Sequence, residues 1–314
     1  MGINEHQTGS DGASVAVLAA ENDAAELAIG TPANEDALAE VCAAIDQIST
    51  LPQVAMRVIE VANNPDAGAA DLKVVLEQDA ALSARVLKCV NSAAYALRSK
   101  VGNLQLAVSY LGFRQVRNLA VTASVSEVFK QEGGFGTYQR EMLWDHLVSV
   151  ALGARLVATR QKLPDFDDAF LAGLLHDIGI ILEDQYVHPK FRAMIESLDE
   201  TTPLIVAEQE KLGFDHAQLG YRVGRSWKFP DHVLNAIRFH HADFDSEKYD
   251  MEIVRCVEIS NLVCTLMGHS SIGRKTLPPP RCAIAQFDLT KRDLKVYAED
   301  FEREFKQHDS LYKL

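Results

Sequence analysis

The amino-acid sequence predicts an all-α protein built as a two-lobed helical bundle. Apolar residues recur at the three- and four-residue spacing of amphipathic helices, as between Leu38 and Ile48. Sustained alternation of apolar and polar residues, which is typical of half-buried strands, does not occur. A glycine-rich break at Gly133–Gly136 separates an earlier from a later helical block, so we expect the lobes to meet between Gln131 and Tyr138.

The earlier lobe is predicted to extend from residue 34 to residue 132. Pro52 begins one of its helices, and Asp79 has the position and residue type of an N-cap for another. Gly112 ends a helix that starts near Leu104. Residues 1–33 are rich in alanine, glycine and polar residues and contain no aromatic residue, so they predict a mobile N-terminal tail.

The later lobe is predicted to occupy residues 137–267. One of its helices, from Ala169 to Ile181, is apolar and contains His176 and Asp177. The following segment, residues 268–314, is predicted to be a loop with a Pro278-Pro279-Pro280 run and then a charged surface helix. The run from Glu299 to Lys306 is interpreted as a solvated face of that helix.

Composition limits the function classes that fit this chain. Its 314 residues carry a net charge of −13, which disfavours broad binding to nucleic acids or anionic membranes. The five cysteines include no CxxC pair, and reduced thiols fit a cytoplasmic protein. The sequence contains neither a signal-peptide pattern nor an apolar run as long as a membrane span, so no membrane association is expected.

The adjacent pair His176-Asp177 is the strongest chemical signal in the sequence. Burial of an ionised carboxylate beside an imidazole is costly unless each group has a charge partner or a metal. Other histidines occur in similar contexts, at His146, His216 and His240-His241. A plainer interpretation is that these histidines bond one another and backbone carbonyls across the bundle, and the residues leave it open, above all for His216.

A series of short motifs also follows in a fixed order along the chain. They are Leu51-Pro52, Gln78-Asp79, Asn91-Ser92-Ala93-Ala94-Tyr95, Leu111-Gly112, Val116-Arg117-Asn118-Leu119, Trp144-Asp145-His146, Gly173-Leu174-Leu175-His176-Asp177-Ile178-Gly179, Glu208, Gly213-Phe214-Asp215-His216, Gly220, Trp227, Pro230 and His240-His241. In this order and spacing they resemble the HDOD domain, a bacterial relative of the HD phosphohydrolases. The resemblance implies a domain over residues 34–267 whose C-terminal lobe is of the HD type, with a role in bacterial signalling.

The resemblance also implies a site for a divalent metal such as Fe, Mn, Mg, Zn or Ni. His146 matches the first ligand position of catalytic HD relatives, and His176 and Asp177 match the pair that names them; His216, His240 and His241 resemble the additional histidines of binuclear relatives. Asn261 matches the late aspartate, where an amide offers only a neutral oxygen. Ile180 stands where relatives acting on cyclic dinucleotides have a phosphate-binding lysine.

Three function classes follow from these features. The first is a regulatory module that contacts an unidentified signalling protein and keeps a degenerate metal site. The second is a metal-dependent phosphohydrolase acting on a nucleotide or cyclic dinucleotide, with His176 and Asp177 as candidate catalytic residues. The third is a DNA-binding regulator, since Arg114 and Arg117 follow a possible helix-turn-helix at Gly112. The sequence leaves the oligomeric state open.

Overall fold

The computed structural model describes residues 33–48, 53–64, 66–92, 95, 97–130, 133–274, 277–308, 311 and 313. The predicted tail at residues 1–33 lies outside this part of the chain except for Ala33. Pro52, predicted to begin a helix, and Gln131, predicted to begin the lobe junction, also lie outside it. Within the described part, almost all regular structure is helical, which confirms the all-α fold class.

In the part of the chain that the structure describes, six helices precede the glycine-rich break. They are α1 (Glu35–Ile48), α2 (Gln53–Asn63), α3 (Ala69–Leu76), α4 (Ala80–Val90), α5 (Leu104–Leu111) and α6 (Phe113–Phe129). Asp79 caps α4 as predicted, since its side chain accepts a hydrogen bond from the amide of Leu82 at 2.9 Å. A two-residue antiparallel hairpin, β1 (Gly134–Phe135) and β2 (Tyr138–Gln139), then leads into the later block.

Ten helices follow the hairpin in the described part of the chain. They are α7 (Arg140–Arg160), α8 (Phe166–Leu175), α9 (Ile178–Tyr186), α10 (His188–Ser197), α11 (Leu204–Leu212), α12 (His216–Ser226), α13 (Asp231–Phe239), α14 (Glu252–Met267), α15 (Arg281–Gln286) and α16 (Lys291–Gln307). None of the described helices has the length and apolar character that crossing a lipid bilayer requires.

Helix α7 lies at the centre of the later block. It packs against α8, α14 and α16, and most of its residues between Leu143 and Ala158 are buried. The crossing of α7 and α8 is close because α8 carries Gly173, where a Cβ atom would lie 2.8 Å from the Cα atom of Ala151. This packing brings the middle of α7 next to the end of α8, where the predicted site residues lie.

Helix α1 lies within residues 34–132, which the sequence predicts to form the earlier lobe, but it also contacts the later block. It packs against α9 and α12 of the later block. The amide of Asn34 donates to the carbonyl of Gly213 at 2.6 Å, and Glu35 forms an ion pair with Arg222 at 2.7 Å. Sequence periodicity indicates which face of a helix is buried but not which neighbour covers it, so it could not predict these contacts of α1 with the later block.

The arginines that suggested a DNA-reading helix connect α6 to α8 instead. Arg117 is buried, and its Nη2 atom lies 2.7 Å from Oδ1 of Asp168. Arg114 pairs with Asp165 at 2.5 Å. Since a buried, paired guanidinium cannot reach a base edge, Arg117 is not placed to read DNA, whereas Arg114 is paired but remains nearly half exposed.

The C-terminal helix is also more buried than predicted. Helix α16 places Tyr297, Phe301 and Phe305 at four-residue spacing, and all three are buried as the helix packs against α7. The interpretation of Glu299 to Lys306 as a solvated face is therefore wrong for Phe301 and Phe305. Most charges of this segment lie on the exposed side, but Asp300 is buried and pairs with Arg160 and Arg303, so charge content alone did not indicate the apolar stripe.

Candidate metal centre

Five histidines meet around the carboxylate of Asp177. His146 projects from the middle of α7, and His176 and Asp177 lie between α8 and α9. His216 is the first residue of α12, while His240 and His241 directly follow α13. Residues that are distant in sequence are thus brought together by the ends of four helices and one helix centre.

The predicted helix from Ala169 to Ile181 is interrupted at the His-Asp pair. Helix α8 ends at Leu175, Asp177 has φ −101° and ψ 19°, and α9 begins at Ile178. The Nδ1 atom of His176 lies 2.7 Å from the carbonyl oxygen of Gly173, which a continuous helix would use for the amide of Asp177. This side-chain hydrogen bond explains why the prediction of one helix was wrong.

The carboxylate of Asp177 bridges two groups of possible ligand atoms. Its Oδ2 atom lies 3.4 Å from Nε2 of His146 and 3.3 Å from Nε2 of His176. Its Oδ1 atom lies 3.0 Å from Nε2 of His240 and 3.3 Å from Nε2 of His216. One group consists of His146, His176 and Asp177, and the other of Asp177, His216, His240 and His241. Within each group the candidate ligand atoms lie within 4.8 Å of one another.

Hydrogen bonds behind the rings determine which nitrogen faces the centre. The Nδ1 atoms of His146, His176 and His240 lie 2.7 to 3.0 Å from the carbonyl oxygens of His269, Gly173 and Ala236, respectively. A carbonyl oxygen only accepts, so each Nδ1 carries a proton and each Nε2 atom faces the centre, where the ring in its neutral form presents a lone pair. Such carbonyl-anchored rings are typical of metal-ligating histidines.

The contacts among the rings do not satisfy these lone pairs. Nε2 of His146 is 3.3 Å from Nε2 of His176. Two neutral rings anchored through Nδ1 place lone pair against lone pair, which is repulsive without a proton or a cation between them. The Oδ1 atom of Asp177 is buried and accepts no hydrogen bond, although two imidazoles lie close to it. The donor set therefore fits a metal cation.

The electrostatics of the centre also favour a positive charge. The neighbouring imidazoles hold the pKa of Asp177 well below its usual value despite its burial, so its carboxylate is anionic. Burial lowers the pKa of His176 to about 4, which keeps its ring neutral near pH 7. At His216, burial is outweighed by Glu208 and Asp177, which raise its pKa. The proton held there would be released when a cation binds.

Glu208 and Glu183 lie behind His216. Oε2 of Glu208 is 2.7 Å from Nδ1 of His216 and also accepts its backbone amide at 3.1 Å. Burial and the nearby Glu208 raise the pKa of Glu183 well above its ordinary value. The resemblance included Glu208 without a role, and sequence reasoning missed Glu183, because no spacing pattern links these carboxyl groups to His216.

Asn261 lies at the edge of the centre. It is buried on α14 and lines a cavity together with Asp177, His216 and His241. Its Oδ1 atom accepts a hydrogen bond from the Thr265 hydroxyl at 3.3 Å, so the amide oxygen already has a partner. The structure thus brings the five predicted histidines and Asp177 together and places Asn261 in the wall beside them.

Comparisons with known proteins agree with this architecture. The HDOD domain model matches residues 48–243. A protein of unknown function from Geobacter sulfurreducens with an HDOD domain is 25% identical, with a TM-score of 0.72, over 88% of this chain and 96% of that one. A Marinobacter aquaeolei VT8 protein named for signal transduction is 27% identical, with a TM-score of 0.69, over 88% of this chain and 64% of that one.

A curated but uncharacterized protein of Treponema pallidum (strain Nichols) is 27% identical over 272 residues, which are 85% of this chain. This chain spans only 51% of that relative's length. The family match covers more than half of the present sequence, and it includes His146, His176, Asp177 and the later histidines. The chain therefore belongs to the HDOD domain family.

Proposed function

We propose that this protein is a bacterial, cytoplasmic signal-transduction module that holds a binuclear divalent-metal centre and contacts a signalling partner. His146, His176 and Asp177 would hold one cation, and Asp177, His216, His240 and His241 would hold the second. The observation that carries the proposal is the bridging position of Asp177 between two groups of carbonyl- or carboxylate-anchored imidazoles.

The donor set supports some metals more than others. Imidazole nitrogens suit iron, zinc and nickel, whereas magnesium prefers a shell of oxygen ligands. Five imidazoles around one carboxylate therefore favour a transition metal over magnesium. When bound, such a cation supplies Lewis acidity to an oxyanion placed beside it.

Metal content should separate the two positions. We expect about two equivalents of metal per wild-type chain and about one in His146→Ala or in His241→Ala, because each substitution removes a ligand from only one group. Elemental analysis of purified protein after dialysis, with reloading by iron, manganese, zinc and nickel separately, measures this. His188→Ala, which removes a histidine outside both groups, should leave the metal content unchanged.

Metal-free protein that takes up none of these cations would contradict the binuclear proposal. Loss of both equivalents in His146→Ala would contradict the assignment of independent groups. Equal metal content in wild type and in both variants would show that these histidines only bond one another across the bundle.

Phosphoester hydrolysis is a second candidate function, favoured by the bridging carboxylate between the two groups. We expect turnover below about 1 per second on nucleotides and cyclic dinucleotides, because Asn261 lacks the charge of a late aspartate and Ile180 is buried in α9. Assays with each reconstituted metal measure this, and Asn261→Asp should raise metal affinity more than turnover. Faster hydrolysis that His176→Ala abolishes would establish an enzyme instead.

A further inference from the structure

A cavity of about 130 Å³ opens beside the metal centre. Asp177, His216 and His241 form its inner end. The start of α11 with the two residues before it, and the loop after α14, form its sides. The apolar part of its wall consists of Pro203, Leu204, Ile205, Val206, Ile272, Leu277 and Pro278.

Arg274, on the loop after α14, is the arginine among the described residues that line this cavity. Its Nη1 and Nη2 atoms donate to the carbonyl oxygens of Asp199 and Leu198. Its Nε atom is buried and has no hydrogen-bond partner. Arg274 forms no ion pair within the part of the chain that the structure describes.

A half-buried guanidinium without a counter-ion is costly, and the cost is recovered when an anion approaches it. Arginine has five N–H donors, so the two backbone carbonyls leave further N–H groups of Arg274 without a partner. Its planar arrangement of donors matches the oxygens of a phosphate group. Cations held by Asp177 and His216 would attract the same group from the inner end of the cavity.

We infer that Arg274 binds the phosphate group of a small ligand in this cavity, either free phosphate or a compact phosphate monoester. This inference rests on the proposed metal centre. The volume is below the several hundred Å³ of typical pockets for larger ligands, which argues against a cyclic dinucleotide. Arg274, on the loop after α14, thus supplies a positive charge for the phosphate group, which Ile180, at the position of the lysine in relatives acting on cyclic dinucleotides, cannot provide.

Isothermal titration calorimetry of the metal-loaded protein tests the inference with orthophosphate and with phenylphosphonate, whose P–C bond resists hydrolysis. We expect both to bind wild type and Arg274→Gln to weaken both by roughly tenfold or more, the loss of one charge-assisted contact. Arg274→Lys keeps the charge and should fall between them. Tighter binding of phenylphosphonate would assign the apolar wall to an ester group, and tighter binding of orthophosphate would assign free phosphate.

Arg192→Gln is the matched control, because Arg192 pairs with Glu196 on the surface away from the cavity. Metal content, measured on each protein first, separates the two proposals: a wild type without metal contradicts the metal centre. Metal-loaded wild type that binds neither probe overturns the role of Arg274. Equal affinities of wild type and Arg274→Gln for the probes would also overturn it. Equal losses of affinity in Arg274→Gln and Arg274→Lys would do the same, because they would indicate that Arg274 only holds the loop in place.

Discussion

Asp177→Asn is expected to remove both metals at once. Its carboxylate belongs to both ligand groups and is their only anionic member. Without it, the remaining ligands are neutral imidazoles, and the oxygen of the new amide is a weaker donor. Because altering even outer partners of metal ligands costs 10- to 100-fold in affinity, we expect a loss of more than about 100-fold for both positions.

Thermal unfolding provides a second measurement of the same change. A ligand that binds only the folded state stabilises it by about 2.7 kcal/mol at a concentration of 100 times Kd. The wild type should therefore melt at a higher temperature with metal than with a chelator, whereas Asp177→Asn should melt at the same temperature in both. Asparagine has nearly the volume of aspartate, so the variant should still fold.

Asp145→Asn provides the matched control for Asp177→Asn. Like Asp177, Asp145 is adjacent in sequence to a histidine of the centre, because it directly precedes His146. Asp145 is not a member of either ligand group. Its variant should keep the wild-type metal content. Metal retention by Asp177→Asn equal to that of Asp145→Asn would show that the imidazoles alone hold the cation and that Asp177 does not bridge.

The sequence indicated which histidines cluster around Asp177 because each lies in a short local motif. The His176-Asp177 pair within an apolar segment and the later His240-His241 pair are recognisable without knowledge of the fold. Helical periodicity also predicted the fold class, since an amphipathic stripe reports burial directly. Both kinds of signal extend over only a few residues.

Features that depend on contacts between distant segments could not be predicted in this way. The hydrogen bond from His176 to Gly173 interrupts a segment whose composition favours one helix. Glu208 orients His216 across a turn, and Arg274 enters the cavity from a loop with no recognisable motif. Each of these depends on where a backbone carbonyl or a cavity lies, which local spacing does not encode.

Gly179→Ala is expected to destabilise the fold and to displace His216. Gly179 lies in the first turn of α9, and a Cβ atom there would be 2.0 Å from the carbonyl oxygen of His216 and 2.9 Å from its Cα atom. Backbone atoms cannot rotate away as a side chain does, so α9 and α12 must separate. Overpacking of this kind costs typically 1–3 kcal/mol, and we expect a value of about 3 kcal/mol.

Two measurements distinguish this effect from a change in helix propensity. Alanine favours a helix over glycine by about 1 kcal/mol, so propensity alone would make the variant more stable. Denaturant unfolding with a chelator present should instead show the loss, and elemental analysis should show a depleted His216 group with the His146 group less affected. Gly102→Ala is the control, since a Cβ atom at Gly102 meets nothing within 4 Å. The contrary outcome is that Gly179→Ala unfolds at the same denaturant concentration as Gly102→Ala and keeps its full metal content. That result would show that the close approach of α9 to α12 does not position His216 against Asp177.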